Sequence, residues 1–473
     1  MLNKLWLICG YPHNTEYVPP VCTPHSVTHV PPPVPTAAHR LYYNITHGIR
    51  SMFTIITGAQ FGDEGKGKIV DILSKDYDLV VRFQGGNNAG HTVIVGDDTY
   101  KLHLIPSGVL ADARILIGPG VVLDPGVLLQ EIEMLKNAGI RITPEKLGID
   151  AKTSIIMPYH IELDKLREQE RTRKIGTTAR GIGFAYIDKI SRDEVRLVDL
   201  AYEDAFLAAM DELAVQKERA IEALGGDSGV VRASIPSYTE YGALLRPYLT
   251  DVSYELNRAL DSGRSVLAEG AQGAHLDIIH GTQKFVTSSS TIAGSACAYL
   301  GVGPMRVDRV IGIVKAYITR VGEGPLPTEL HDEVGDRLRD AGGEFGTTTG
   351  RPRRCGWFDA PLTRKAVHLN AYSEITITKL DVLTGIDPIR ICVGYELDNQ
   401  CIEYPPELSS DLARCVPLYE EMAGWDQDIS DAKGFSDLPK AAQDYVRRIE
   451  EILGVGAKII SIGPDREQIF YAK

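Results

Sequence analysis

No stretch of about 18 consecutive apolar residues occurs in this 473-residue chain, which excludes a bilayer-spanning helix. No Cys-x-x-Cys pair is present either. The seven cysteines (Cys9, Cys22, Cys297, Cys355, Cys392, Cys401, Cys415) are odd in number and scattered, so neither a disulfide framework nor a zinc site is supported, and a reducing compartment is the default. Positive charge is in deficit: 50 Lys and Arg against 63 Asp and Glu give a net charge of −13, which argues against a surface that coats nucleic acid and leaves only local basic clusters for small anions. No internal repeat is visible. What is present is ordinary for a soluble globular chain, 44% hydrophobic and 24% charged residues, in a length that suits one large α/β lobe or two to three domains.

Residues 1–51 differ from all that follow. They hold eight of the 26 prolines and five of the 12 histidines but only four charged residues, and VPPPVP (Val30–Pro35) favours an extended backbone, so a disordered Pro/His-rich extension is expected. Met52 directly precedes the first β-rich run, which suits a stretch lying upstream of the natural start; sparse basic residues and no amphipathic helix weigh against a transit peptide.

The chain is organised around Ile55–Leu73, IITGAQFGDEGKGKIVDIL, which reads as strand, glycine-rich turn and helix. Backbone N–H groups in such a turn close round an anion at a helix N-terminus. From Gly62 to Lys68 the spacing is that of a phosphate-binding P-loop, yet Ile69 stands where Ser or Thr would ligate magnesium. Asp63 and Glu64 sit inside the loop, and an acid among phosphate-binding amides must hold a metal or move a proton, which makes Asp63 the first catalytic candidate.

Leu79–Phe83 reads as a second buried strand leading into QGGNNAGHTV, where His91 is a candidate acid near neutral pH. Further β-rich runs lie at 115–118, 265–270, 309–320, 374–381, 390–397 and 458–463, with helical patterns between them at 125–138, 161–174, 202–224 and 441–453. This alternation predicts an α/β fold: a mainly parallel central sheet with helices on both faces and helical insertions near 202–262. Thr177, Thr178, Arg180 and Arg192 suit phosphate oxygens, and FGTTTGRPRR (Phe345–Arg354) predicts a compact cationic loop of Arg351, Arg353 and Arg354 for a multiply anionic ligand. TKLD (Thr378–Asp381) ends a strand with an Asp able to accept both the N1–H and the exocyclic amine of guanine, a donor pair that adenine lacks.

Together these motifs resemble the adenylosuccinate synthetase family: QFGDEGKGK (60–68), GGNNAGHT (85–92), GTTARGIGFAYIDK (176–189), EGAQG (269–273), TRVGEGPLPTE (319–329), TTTGRPRRCGW (347–357), TKLDVL (378–383) and SIGPDR (461–466) stand in the family's order across residues 52–473. The resemblance implies one catalytic domain over that range, joining L-aspartate to IMP with GTP and magnesium to give adenylosuccinate, GDP and phosphate through a 6-phosphoryl-IMP intermediate. By the same resemblance Asp63 takes the N1 proton of IMP and ligates the metal with the Gly90 carbonyl, while His91 stabilises charge on O6 and the phosphoryl group. GTP would meet Gly62, Asp63, Glu64, Gly65, Lys66, Gly67, Lys68, Arg353, Lys379, Leu380, Asp381, Ser461, Ile462 and Gly463. IMP would meet Asp63, Lys66, Asn88, Ala89, Gly90, His91, Thr178, Gln272, Thr287 and Arg351, with Arg192 reaching in from the second subunit of a cytoplasmic homodimer. Aspartate would meet Thr347, Thr348, Thr349, Gly350, Arg351 and Arg353.

This chain departs from the family at Phe61 (commonly Trp), Asn87 (often His), Phe184 (Pro), Pro352 (Arg) and Ile462 (often Thr). Pro352 removes one N–H and one positive charge from the aspartate loop. A guanine-nucleotide switch protein is the alternative, weakened by the missing hydroxyl after Lys68. No membrane and no nucleic acid are expected as partners.

Overall fold

A computed structural model of the protein describes residues 52–95, 98–346 and 350–472. The amino-terminal extension and Thr347–Thr349 lie outside the described residues.

Ten strands form the central sheet: β1 (Phe53–Gly58), β2 (Leu79–Arg82), β3 (Arg114–Ile117), β4 (Leu147–Asp150), β5 (Leu249–Thr250), β6 (Val266–Gly273), β7 (Arg309–Lys315), β8 (Glu374–Thr378), β9 (Ala457–Ser461) and β10 (Ile469–Tyr471). Their spatial order is β10-β9-β8-β7-β1-β6-β2-β3-β4-β5, with β1 central, and every neighbour pair is parallel except β9 with β10. Alternation along each strand divides the apolar residues between the two faces. Ile56, Val80, Ile115 and Ile117 join one core cluster, while Ile55, Leu79, Val81 and Leu116 join another. Both faces are therefore covered, which is why these strands read as continuous apolar runs.

The helices that matter for the site are α1 (Lys66–Leu73), α2 (Pro125–Asn137), α3 (Pro158–Glu170), α4 (Ile182–Ser191), α5 (Glu203–Ala223), α6 (Glu333–Gly342), α7 (Ala360–Asn370) and α8 (Lys440–Leu453). Phe206, Met210 and Ile221 of α5 pack into the same cluster as the sheet residues Ile115 and Ile149, so the helical insertion is continuous with the main core.

Three expectations are corrected. The run 309–320 is two strands: β7 ends where its partner β8 turns away at Lys379 (φ 61°), and Ile318–Arg320 pairs antiparallel with Arg354–Gly356 instead. Residues 389–397 belong to a separate small sheet, because Asp398 and Asn399, both at positive φ, fold the chain into a hairpin with Gln400–Ile402. Helix α3 begins at Pro158 rather than at 161, since proline suits the first helical turn, and it stops at Glu170.

Candidate functional site

The carboxyl ends of parallel strands are where α/β sheets assemble ligand sites. Here β1, β2, β6, β7, β8 and β9 each run into one of the motifs found in the sequence. The loop after β1 turns through Gly62, Asp63 and Gly65, all at positive φ, and Gly65 caps α1 with no side-chain hydrogen bond. The first N–H groups of α1 are thus left for an anion.

Glu64 has a place that the sequence did not foretell. Its carboxylate folds back into the loop, where Oε1 accepts from the N–H groups of Gln60 (3.0 Å) and Gly62 (2.9 Å) and Oε2 accepts from Lys66 Nζ (2.6 Å). A Cβ on Gly58 or Gly273 would come within 2.6 Å of this carboxylate, so both positions require glycine. Lys66, expected at a phosphate, is buried and paired with Glu64.

The turn at Thr378–Asp381 is bonded to the loop after β1. Thr378 Oγ1 donates to the Glu64 carbonyl (2.7 Å), and Lys68 Nζ reaches across to Ser461 Oγ (2.9 Å) and the Gly463 carbonyl (2.8 Å). Burial brings the Lys68 ammonium down to about 8. At the end of the turn, Asp381 Oδ1 is buried with no hydrogen-bond partner among the described residues, and burial raises its carboxyl above the ordinary value. An unpartnered buried acceptor of this kind suits a ligand that brings donors. Leu380 and Ile462 are buried.

On the other side of the phosphate loop, fully buried Arg82 binds the carbonyls of Gln84 (3.2 Å), Gly86 (2.8 Å) and His103, fixing the turn that carries Asn88, Ala89, Gly90 and His91. The His91 ring packs on Gly67, where an added Cβ would meet His91 Cβ at 3.0 Å. Its Nδ1 lies 2.5 Å from Glu269 Oε1 and 3.1 Å from Ser107 Oγ, and Ser107 donates to the same carboxylate through both its N–H and its hydroxyl (2.8 Å each). Burial works to raise the Glu269 carboxyl, but His91, Arg82 and the Ser107 N–H outweigh it and hold it below its usual value. Only the position of EGAQG at a strand end pointed to Glu269; nothing in the sequence paired it with His91.

Asn88, Gln272 and Thr287 meet around the same turn: Asn88 Nδ2 lies 3.5 Å from Thr287 Oγ1, and Gln84 Nε2 donates to Gln272 Oε1 (3.1 Å). Gln272 Nε2 is buried without a partner among the described residues, another donor awaiting an acceptor. No hydrogen bond joins Thr178 or Arg192 to this cluster among the described residues. Thr178 stands on the loop between α3 and α4, and Arg192 is exposed at the end of α4.

The three arginines of the expected cationic loop do not form one cluster. Arg353 is buried, donating through Nε to Asp63 Oδ2 (2.9 Å) and through Nη1 to Glu344 Oε2 (2.7 Å). Arg354 turns away to Glu329 and the Gly324 carbonyl (2.7 Å). Arg351 is exposed beside Gly350. Acids separate the arginines: Glu344 and Asp63 hold Arg353, and Glu329 holds Arg354.

Comparisons with known proteins identify the family and the fold. The adenylosuccinate synthetase family model matches residues 55–470. Adenylosuccinate synthetases of Methanosarcina barkeri and Methanothrix thermoacetophila are each 66% identical over 421 and 422 residues, covering 89% of this chain and 99% and 100% of the relatives. The structure of a fully ligated adenylosuccinate synthetase from Plasmodium falciparum superposes with a TM-score of 0.85 at 38% identity, covering 89% of this chain and 99% of that one. A cyanophage succinoaminodeoxyadenylate synthetase at 19% identity and a TM-score of 0.57 shares the fold. The match of the family model to residues 55–470, together with relatives 66% identical over 89% of this chain, places the chain in the adenylosuccinate synthetase family, the C–N ligases that join L-aspartate to IMP with GTP.

Proposed function

We propose that the ligation proceeds in two steps at one site. Asp63 removes the N1 proton of IMP, and the O6 oxyanion takes the γ-phosphoryl group of GTP; the amine of aspartate then displaces phosphate from C6. Phosphorylation makes chemical sense because the oxygen of IMP is a poor leaving group and phosphate is a good one. His91, backed by Glu269, donates to the oxygens on which charge develops. Asn88, Gln272, Thr287 and Thr178 hold IMP, Lys379 and Asp381 read guanine, and Arg351 with Thr347–Gly350 receives the aspartate carboxylates. The observation that carries this assignment is the joint placement of the Asp63 loop and the His91 ring at the amino end of α1.

The Asp63 carboxylate and the Gly90 carbonyl are hard oxygen donors suited to magnesium, a cation held by few protein oxygens together with substrate phosphates. When bound, magnesium would neutralise charge on the transferring phosphates.

A homodimer in the cytoplasm is part of the same proposal, with Arg192 completing the partner's IMP site. Its support is the exposed apolar pair on α4, Ile187 (56%) and Ile190 (80%), immediately before the exposed Arg192. Among the described residues no helix is long and apolar enough to cross a membrane.

The test is ultraviolet detection of adenylosuccinate with GTP, IMP and aspartate omitted in turn, for the parent enzyme and for Asp63→Asn. The parent is expected to require all three substrates, and the variant, which keeps the loop's shape, to form no product. Appreciable turnover by Asp63→Asn would remove Asp63 from the role of base.

A further inference from the structure

Glu344 lies at the root of the arginine loop, two residues beyond α6, and its side chain is fully buried. Four groups converge on it. Oε2 accepts from Arg353 Nη1 (2.7 Å), while Oε1 accepts from Lys315 Nζ (2.9 Å) and the Tyr317 hydroxyl (2.5 Å) and lies 4.0 Å from Lys379 Nζ. The Glu344 carbonyl also accepts from the Arg353 N–H (2.9 Å), so backbone and side chain clamp the same arginine. Lys379 donates in turn to the Gly342 carbonyl.

These contacts link two motifs far apart in the chain. Lys379 opens the guanine turn; Arg353, at the other end, holds Asp63 in the phosphate loop at 2.9 Å. Lys315 and Arg353 pair with Glu344, Arg353 pairs also with Asp63, and Lys379 stands 4.0 Å from Glu344. Burial alone would raise the Glu344 carboxyl, but Lys315, Lys379 and Arg353 bring it to about 2, so it stays a carboxylate. Apolar packing alone would not call for an ionised group here; burying one is costly unless its partners are held in a defined geometry.

We propose that Glu344 is a positioning residue for the reaction: it sets the Arg353 guanidinium against Asp63 and ties that arginine to the guanine-turn lysine, so that the aspartate loop and the nucleotide site share one anchor. Glu344 touches no substrate and acts through Arg353 and Lys379. The inference rests on Asp63 serving as the base and on Arg353 facing aspartate and GTP.

Glu344→Gln keeps the shape and removes the charge. In the full-length enzyme its expected signature is skewed: kcat falls and KM for aspartate rises, together lowering kcat/KM for aspartate roughly tenfold or more, because a hydrogen bond to a charged group is lost. KM for IMP should stay within about twofold, since of the proposed IMP contacts only Asp63 is reached through Glu344, and the others, Asn88, Gln272 and Thr287, are not. In an Arg353→Met background the same change should add almost nothing, because its target is already gone. A merely structural role gives the opposite pattern, namely uniform loss through a lower melting temperature and additivity with Arg353→Met, and either finding overturns the proposal. Should Glu344→Gln fail to fold, Tyr317→Phe, which deletes one donor to Oε1 and no charge, must show the same skew at roughly threefold; an unskewed Tyr317→Phe overturns it too. If Asp63→Asn is inactive while the Glu344 variants are unskewed, only this inference falls; if Asp63→Asn is active, the assignment beneath it falls as well.

Discussion

Replacing Asp381 by Asn tests the nucleotide site at the atom that the fold leaves unsatisfied. Asp381 Oδ1 is buried without a partner among the described residues, and burial raises its carboxyl. Guanine would bring two donors to this carboxylate, each bond to a charged acceptor being worth about 1.5–3 kcal/mol. Asparagine keeps one acceptor and turns the other into a donor that faces the exocyclic amine, so one bond of about 1.5–3 kcal/mol is lost and an opposed donor pair costs about as much again, about 3–6 kcal/mol in all. At about 1.4 kcal/mol per decade, kcat/KM for GTP should drop by roughly 10²–10⁴. Xanthine carries an oxygen where guanine carries the amine, and the asparagine amide can donate to it, so XTP should overtake GTP in the variant. The ionised form of a raised carboxylate weighs against the folded state, so its removal should leave the melting temperature equal or higher. The assay is initial-rate formation of adenylosuccinate at saturating IMP and aspartate, with GTP or XTP varied. A GTP efficiency within tenfold of the parent, or no gain with XTP, would refute the reasoning.

Two further outcomes can be checked independently. Arg351→Leu removes the exposed cation of the aspartate loop and should raise KM for aspartate at least tenfold while leaving GTP affinity nearly unchanged, since the buried arginine of that loop is Arg353; equal losses for both substrates would count against the placement. Asp359 caps α7 by accepting from the Leu362 N–H (3.0 Å) and also accepts from Tyr395 (2.6 Å), and complete burial pushes its carboxyl up to about 7. Its folded value lies above its unfolded one, so the folded state keeps a proton that the unfolded chain releases, and stability falls by about 1.4 kcal/mol per pH unit between roughly pH 4 and 7. Asp359→Asn keeps both bonds and lacks that slope; its urea midpoint relative to the parent should climb from pH 5 to pH 7.5, and parallel curves would show that Asp359 is ionised in the fold.

Local signals carried much of the architecture. Strands β1, β2, β3 and β9 sit within a residue or two of where their apolar runs place them, because a strand buried on both faces advertises itself regardless of context. The motif loops after β1, β2, β8 and β9 likewise fell at strand ends as expected. What escaped the sequence were pairings between acids and their distant partners. Glu344 follows a helix and looks like surface, Glu269 opens a short motif, and Glu64 seemed one more acid in a phosphate loop; each is buried because the fold brings a partner to it, Lys66, Arg353 or His91, from 2 to 178 residues away. The arginine loop was misjudged for the same reason, since composition counts charges and the fold decides which of them are already paired.

Glu64 also changes what counts as the phosphate-binding motif. Because its carboxylate takes the N–H groups of Gln60 and Gly62, the first part of the loop carries a resident anion of its own, while the N–H groups at the start of α1 stay open to an incoming one. The room for that resident comes from Gly58, at the end of the preceding strand, and from Gly273, more than two hundred residues downstream. The functional word in this protein is therefore discontinuous: two of its letters lie outside the glycine-rich stretch, and a methyl group at either would evict the carboxylate and rewrite the loop from a distance.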